Sequence, residues 1–289
     1  MTERLIKRGG VRLCAESFGD RHDPAVLLIM GATASMLWWP DDFCRQLAAR
    51  GFFVVRYDNR DTGRSTTYPH GTTPYTLDDL AGDALTVLDD YGIARAHVMG
   101  MSLGGMLGQM LALMVPHRIA SLTMIASARF DVDDPDLPGI DPDFLAAFGG
   151  MDAVDWRDEA AVVAFQLSLA RIINGRVRPF DEARMKSLAR REFRRAGDLF
   201  AMFNHSGLAG GESWQGRLGT LDLPALVIHG TADPILPYPH GVALAAAVPG
   251  ARLLTLEGAG HDLAPEDWPA ILDGFAETAG RDGLSGAAA

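Results

Sequence analysis

The chain has 289 residues, which is enough for one large core domain with a modest insertion. Hydrophobic residues make up 48% of the chain and charged residues 22%, as in an ordinary soluble globular protein. The formal net charge of −11 repels phosphate backbones and anionic lipid, so we expect neither nucleic acid nor a membrane as a partner.

The cysteines and the first residues of the chain bear on its compartment. Cys14 and Cys44 are too few for a disulfide framework, and no Cys/His pairing has metal-ligand spacing, so we expect reduced thiols and no metal site. The N-terminal residues lack the apolar core of a signal peptide, and no apolar run is long enough to span a bilayer. We therefore expect a cytoplasmic protein, and the sequence leaves its oligomeric state open.

The first element along the chain is a hairpin. Residues 4–18 turn through Gly9 and Gly10, which predicts two antiparallel strands at the edge of a sheet. Short apolar runs follow, each too short for a core helix, at residues 25–30, 52–57, 96–99, 121–126, 225–229 and 252–256. Continuous apolar runs of this length are typical of strands covered on both faces, so they predict a parallel sheet.

Helical patterns separate these runs. Pro40 and two aspartates open one helix that Gly51 closes, and Thr76 opens another that Gly92 closes. Strands that alternate with helices predict an α/β fold with a mostly parallel, doubly wound sheet.

One long interval breaks this alternation. Between about 129 and 220 there are helix patterns, notably at 158–173 and 181–193, and no strand-like run. We predict a core domain formed by residues 1–128 and 221–289, with a helical cap at 129–220. Such a cap would lie over the strand ends, where open α/β sheets bind ligands.

A Gly-x-Ser-x-Gly motif centred on Ser102 lies between the run at 96–99 and a helix pattern at 106–115. In this strand–turn–helix context the motif is typical of a nucleophile elbow. Gly100 and Gly104 fit the motif because side chains at these positions would collide across the tight turn. The sequence predicts that Ser102 is a nucleophile, held beside the backbone N–H groups of a helix start.

A serine nucleophile needs a general base, and the base needs a carboxylate partner. In this fold the partners follow in the order carboxylate, then histidine. His261 comes after the run at 252–256 and a loop of small residues, whereas the other histidines fit turns, strands or packing positions. Asp233 follows the run at 225–229 and is the favoured carboxylate; Asp131 is the alternative.

Acyl transfer also needs backbone N–H donors for the oxygen that becomes negatively charged. The first predicted donor is the N–H of Leu103, directly after the nucleophile. The second is the N–H of Ala32, because Gly31 before it lets the chain turn that amide inward.

Aromatic residues near this loop and in the cap suit a bulky apolar substrate. Trp38 and Trp39 are the best candidates for substrate contact, and Gly31 and Met101 adjoin them at the site. The aromatic and methionine residues of the cap are more simply explained as its own core; they are Phe144, Phe148, Trp156, Phe165, Met202, Phe203 and Trp214.

The chain resembles the α/β-hydrolase superfamily of esterases over nearly its whole length, and more narrowly the aclacinomycin methylesterase group. The resemblance is carried by residues 18–20, 30–31, 56–67, 95–98 and 121–124, of which 56–67 (Arg-Tyr-Asp-Asn-Arg-Asp-Thr-Gly-Arg-Ser-Thr-Thr) is the most specific. It implies a serine esterase without a cofactor that acts on a small-molecule ester; methyl esters of bulky apolar or polyketide-like acids are candidate substrates. The implied triad is Ser102, Asp233 and His261, with Ala32 and Leu103 as donors.

Two departures limit what the resemblance implies. Ala32 stands where the methylesterase pattern has glycine, which a backbone donor tolerates. Residues 131–215 match poorly apart from 171–181, and because a cap shapes the pocket, the resemblance does not carry the substrate over. In the 56–67 loop, a structural role for Arg60, Asp61 and Arg64 is favoured over a functional one.

Several functions share this scaffold. The predicted triad does not separate an esterase from a lactonase, a thioesterase, a C–C hydrolase or a perhydrolase. A non-catalytic small-molecule-binding protein is the alternative of a different class, and the strained Ser102 argues against it, because a binding protein has no need of one.

Overall fold

Eight strands form one sheet in the computed structural model, which describes residues 3–132 and 134–280. The strands are β1 (Arg4–Arg8), β2 (Val11–Phe18), β3 (Ala25–Ile29), β4 (Phe53–Tyr57), β5 (Ala96–Met101), β6 (Ile119–Ile125), β7 (Ala225–Gly230) and β8 (Arg252–Leu256). The helices are α1 (Asp41–Ala48), α2 (Leu77–Asp90), α3 (Leu103–Met114), α4 (Pro142–Phe148), α5 (Glu159–Ile173), α6 (Glu182–Arg195), α7 (Pro239–Ala247) and α8 (Trp268–Gly280). Residues 281–289, the end of the predicted core domain, lie outside the described residues.

The order of strands across the sheet is β1-β2-β4-β3-β5-β6-β7-β8. β2 pairs antiparallel with β1 and with β4, and all other neighbours are parallel. Gly9 and Gly10 turn the first hairpin with φ of 57° and 84°, in the left-handed region that favours glycine. The predicted α/β fold, edge hairpin and parallel sheet are confirmed.

The inner strands are covered on both faces, which explains their continuous apolar sequence. Every residue of β3 and of β7 is buried. Helices α2, α3 and α7 pack on one face of the sheet, where Leu80 and Leu107 are fully buried. Helices α1 and α8 pack on the other face, around Phe43 and Phe275.

The helix ends follow the predicted signals with one difference. Thr76 caps α2: its hydroxyl accepts from the Asp79 N–H (3.2 Å), and the Asp79 carboxylate accepts from the Thr76 N–H (2.9 Å). Helix α3 begins at Leu103, three residues before the predicted start at 106, and β5 extends to Met101. Strand and helix therefore both reach Ser102, which leaves that residue alone to make the turn.

Between β6 and β7 the described residues form α4, α5, α6 and short 3₁₀ helices, without a strand. This helical stretch has an apolar cluster of its own, formed by Val162, Phe165, Leu199, Met202 and Phe203. The boundaries predicted for a cap, 129 and 220, stay a prediction, and residue 133 lies outside the described residues. Across the described part of the chain, no helix is long and apolar enough to cross a membrane.

Helix α6 contacts the core through buried charged groups. Arg195 forms ion pairs with Asp58 (2.8 Å) and Glu3 (2.5 Å). Glu192, 2% exposed, accepts a hydrogen bond from the Ser35 hydroxyl. The pKa of the Glu192 carboxyl is raised to about 7, mainly by burial and to a smaller extent by the negative charge of Asp58, against the opposing effect of the Ser35 hydrogen bond.

Candidate active site

Ser102 makes the sharp turn between β5 and α3, with φ of 51° and ψ of −119°. A positive φ is strained for a residue other than glycine, so the turn needs support from its surroundings. Strand β6 and the residues after it supply that support: the Ser102 N–H donates to the Ile125 carbonyl (2.9 Å), and the Ser127 hydroxyl donates to the Ser102 carbonyl (2.8 Å).

Glycines surround this turn because other backbone groups occupy the space of a side chain. A Cβ at Gly104 would overlap the carbonyl oxygen of Ile29, and one at Gly100 would overlap the carbonyl of Gly104. A Cβ at Gly31 would lie 3.1 Å from the Ser102 Cβ. The predicted steric reason for Gly100 and Gly104 therefore holds, and Gly31 lies directly against the serine.

His261 and Asp233 follow β8 and β7 and are hydrogen-bonded to each other, with 2.7 Å between Nδ1 of His261 and Oδ2 of Asp233. The other carboxylate oxygen accepts from the N–H groups of Ile235 (2.8 Å) and Leu236 (2.9 Å). Because an ionised carboxylate only accepts, the proton of a neutral His261 ring lies on Nδ1, and Nε2 is an acceptor.

Asp233 is held in its charged form although its side chain is fully buried. Burial opposes ionisation, but the charge and the hydrogen bond of His261 outweigh it, and the pKa of the Asp233 carboxyl lies below its usual value. His229, whose Nε2 lies 3.5 Å from Oδ2 of Asp233, also lowers the pKa of this carboxyl. The same Nε2 donates a hydrogen bond to the Leu236 carbonyl (2.6 Å). Asp233 is thus an ionised partner for His261.

Ser102 and His261 line one cavity of about 340 Å³ at the carboxyl ends of the strands. The His261 N–H donates to the Ile173 carbonyl (2.6 Å), which ties the histidine loop to α5. Among the described residues no hydrogen bond joins the Ser102 hydroxyl to His261. The structure therefore pairs His261 with Asp233 directly and brings Ser102 to the same cavity.

The two amides predicted as oxyanion donors differ in position. Leu103 is the first residue of α3, where N–H groups have no partner within the helix. Ala32 lines the cavity and is exposed. In the described part of the chain, neither amide donates to a protein acceptor. Both N–H groups are therefore without a protein acceptor; Ala32 is among the residues that line the cavity, and Leu103 is not.

Of the four residues predicted to contact substrate, Gly31, Trp38 and Met101 line the cavity, and Trp39 does not. Trp39 is fully buried and stacks on Phe43, with 5.6 Å between ring centroids. The prediction for Trp39 is corrected for a geometric reason. Trp38 is the last residue of a 3₁₀ turn (Met36–Trp38) and Trp39 follows it in extended backbone, so the two adjacent side chains face different surroundings.

The opposite wall of the cavity comes from the helical stretch. Phe144, Phe148 and Met202 line it, as do Leu169 and Ile173 of α5. The remaining cap aromatics predicted as possible pocket residues lie elsewhere; they are Trp156, Phe165, Phe203 and Trp214. The interpretation that most of these aromatics form the cap's own core agrees with this placement.

The cavity is apolar and contains no carboxylate, lysine or arginine side chain among the described residues. Its polar side chains are Thr33, Ser102, Gln166, His205, Ser206 and His261. The Oε1 atom of Gln166 is buried and has no hydrogen-bond partner in the described part of the chain. Oε1 of Gln166 is therefore an unpaired hydrogen-bond acceptor in a mostly apolar cavity wall.

Asp131, the alternative carboxylate, is engaged elsewhere. Its side chain accepts from the Arg129 guanidinium (3.0 Å) and from the Gly216 N–H (3.1 Å). It accepts no hydrogen bond from His261 among the described residues. This arrangement favours Asp233 as the partner of the histidine.

The 56–67 loop is held by internal contacts. The Arg60 guanidinium donates to both oxygens of Asp83 (2.7 and 2.9 Å), and Asp61 accepts from the Tyr75 hydroxyl (2.6 Å). Arg64 pairs with Glu3 (2.5 Å). None of these side chains lines the cavity, which supports the structural interpretation of this loop.

Sequence reasoning missed His205, which it treated as a surface or packing residue. His205 is 6% exposed, lines the cavity and accepts a hydrogen bond at Nδ1 from the Thr33 N–H (3.0 Å). No local pattern marks such a contact, because the two residues are 172 positions apart.

Comparisons with known proteins agree with this geometry. A family model described as the alpha/beta hydrolase fold matches residues 24–267. Rhodomycin D methylesterase DauP of Streptomyces sp. (strain C5) is 36% identical over 286 residues, 91% of this chain and 93% of that protein. Rhodomycin D methylesterase DnrP of Streptomyces peucetius is 35% identical with the same coverage. The solved 2-hydroxy-6-oxo-6-phenylhexa-2,4-dienoate hydrolase of Rhodococcus sp. strain RHA1 has a TM-score of 0.76 and 26% identity, covering 96% of this chain and 98% of that chain.

Proposed function

This chain belongs to the α/β-hydrolase family and is a serine ester hydrolase, and from that premise we propose that Ser102, His261 and Asp233 form its catalytic triad. The single observation that carries the proposal is the hydrogen bond between buried, ionised Asp233 and His261 Nδ1 (2.7 Å) beside a cavity that also exposes Ser102. In enzymes of this type the contact between base and nucleophile is often long without substrate and tightens in the complex.

The proposed reaction follows from these positions. Nε2 of His261 removes the proton of the Ser102 hydroxyl as Oγ attacks the ester carbonyl, and the amides of Ala32 and Leu103 stabilise the resulting oxyanion. The intermediate collapses, and the alcohol leaves with the proton held by His261. A water molecule, deprotonated by the same Nε2, then attacks the acyl carbon; the bond to Ser102 Oγ breaks, His261 returns the proton to Oγ, and the acid leaves.

The cavity supports a neutral substrate with a bulky apolar acyl group. Side chains such as Trp38 and Phe144 provide apolar contact area, and an anionic group would be desolvated there without a counter-charge. The two rhodomycin D methylesterases share most of their length with this chain, so we propose methyl esters of polycyclic, polyketide-like acids as substrates. The unpartnered Oε1 of Gln166 would accept a hydrogen bond from a hydroxyl group on such an acid.

We propose that residues 129–220 act as the cap of this site. The support is the cavity wall formed by α4 and α5, opposite Ser102.

We also infer a reducing compartment, the cytoplasm, from Cys14 and Cys44, which are buried and unpaired thiols. The net charge of −11 supports the inference that nucleic acid is not a partner.

An ester panel tests the proposal. It compares an uncharged methyl ester of a polycyclic aromatic acid with the same ester carrying an extra carboxylate on its ring system. We expect kcat/KM for the neutral ester to exceed that for the charged one by about 100-fold or more. Ser102→Ala should lower the rate by about 10³-fold or more. Turnover retained in Ser102→Ala, or a preference for the charged ester, contradicts the proposal.

A further inference from the structure

The His205 ring joins the helical stretch to the loop after β3. It lies in a 3₁₀ segment, Phe200–Gly207, and uses both ring nitrogens. Nδ1 accepts from the Thr33 N–H (3.0 Å), and Nε2 donates to the Arg60 carbonyl (2.7 Å). A backbone N–H group only donates and a carbonyl oxygen only accepts. Both hydrogen bonds therefore exist together only in the neutral ring that carries its proton on Nε2.

The surroundings keep this ring in that form. Burial lowers the pKa of His205, against the weaker opposing effects of the Arg60 carbonyl and the Asp61 carboxylate. Nδ1 of His205 therefore remains a hydrogen-bond acceptor for the Thr33 N–H to lower pH than an ordinary histidine would.

Thr33 is the residue after Ala32, and its backbone is strained, with φ of 62°. Only two dihedral angles per residue are soft, so a hydrogen bond that holds the Ala32–Thr33 peptide plane fixes one of the two rotations at Ala32. Two more contacts hold the same loop: Asn59 donates to the Met30 carbonyl (3.1 Å), and the Ser35 hydroxyl donates to Glu192. Of these three contacts, the one made by His205 lies nearest to Ala32 in sequence.

We propose that His205 is a positioning residue: its neutral ring holds the Thr33 peptide so that the Ala32 amide faces the oxygen of the reacting carbonyl. The inference rests on the proposed function, because it assumes that Ala32 is an oxyanion donor. It assigns to the helical stretch a part in building the oxyanion site, in addition to covering it. The effect belongs to the transition state, so it changes kcat and leaves KM nearly unchanged.

Two substitutions separate the two hydrogen bonds. In His205→Asn the side-chain oxygen takes the place of Nδ1 and still accepts from Thr33. In His205→Gln the side-chain amide takes the place of Nε2 and still donates to Arg60, but Thr33 loses its acceptor. For a neutral aryl ester we expect His205→Asn to stay within about threefold of the wild-type kcat. We expect His205→Gln to lose about 10- to 100-fold, with KM within about twofold.

Asn204 provides a matched control from the same segment. Its side chain also ties this segment to the core, accepting from the Gly71 N–H (2.8 Å) and donating to the Tyr68 carbonyl (3.2 Å), and among the described residues it makes no hydrogen bond to the loop at 31–35. Asn204→Ala should lower the thermal midpoint and keep the wild-type kcat. If His205→Gln does not fold, His205→Ala is the second variant, and added imidazole, which can enter from the cavity, should restore its kcat at constant KM.

The outcomes are distinct. Wild-type kcat in His205→Gln, an equal loss in His205→Asn, or an equal loss in Asn204→Ala overturns the inference and leaves the proposed function intact. Failure of imidazole to raise the kcat of folded His205→Ala also overturns it. If the folded wild type hydrolyses no ester and does not react with a fluorophosphonate probe, the proposed function fails and the inference fails with it.

Discussion

Replacing Glu192 by glutamine removes a buried carboxyl whose pKa is raised from 4.5 to about 7 by burial. An acid with a higher pKa in the folded chain stabilises the fold while it is protonated, so its contribution is complete below pH 4.5 and is lost as pH rises through 7. At about 1.4 kcal/mol per pKa unit, the wild type should lose about 2–3 kcal/mol through this group between pH 5 and pH 8. Glutamine keeps an oxygen that accepts from Ser35 and has no charge to acquire.

The assay is urea unfolding followed by tryptophan fluorescence at pH 5, 6, 7 and 8. The difference in unfolding free energy, Glu192→Gln minus wild type, should grow by about 2–3 kcal/mol over this range, with most of the change below pH 7. Glu212→Gln, which changes an exposed glutamate, should follow the wild-type curve. A Glu192→Gln difference that stays flat from pH 5 to pH 8 would refute the reasoning.

Three further substitutions test separate parts of the account. Gly104→Ala places a Cβ on the Ile29 carbonyl oxygen, so we expect the fold to lose about 3 kcal/mol or more in urea unfolding, and an unchanged midpoint would contradict this. Asp233→Asn should keep the thermal midpoint within a few degrees but lower kcat by about 10⁴-fold, because the amide favours the wrong tautomer of the histidine; a loss under about tenfold would be inconsistent with an ionised partner. Trp39→Phe should reduce stability and leave KM unchanged, whereas Trp38→Ala should raise KM; the reverse pattern would mean that Trp39, not Trp38, meets the substrate.

Much of the fold follows from local sequence. The apolar runs match the six later strands to within two residues, and Gly9, Gly10 and Thr76 mark the turns and the helix start that the structure contains. The resemblance to the methylesterase group is confirmed by the relatives that share most of the chain. These features could be predicted because burial on both faces, turn geometry and helix capping each act over a few neighbouring residues.

Contacts between distant segments could not be predicted in this way. Glu192 meets Ser35 across 157 positions, and the contact between His205 and Thr33 is longer still in sequence. The local sequence around a buried histidine that makes two hydrogen bonds does not distinguish it from a histidine on the surface. Trp39 was placed wrongly because adjacency in sequence was taken for a shared direction, and the backbone changes from a 3₁₀ turn at Trp38 to an extended conformation at Trp39.

The most direct test of the central claim is the reaction of the folded protein with a fluorophosphonate, followed by peptide mapping. We expect one adduct, located on Ser102, that is absent in Ser102→Ala and forms about 10³-fold more slowly in His261→Ala. An adduct on a different residue, or an equal labelling rate in folded His261→Ala, would contradict it.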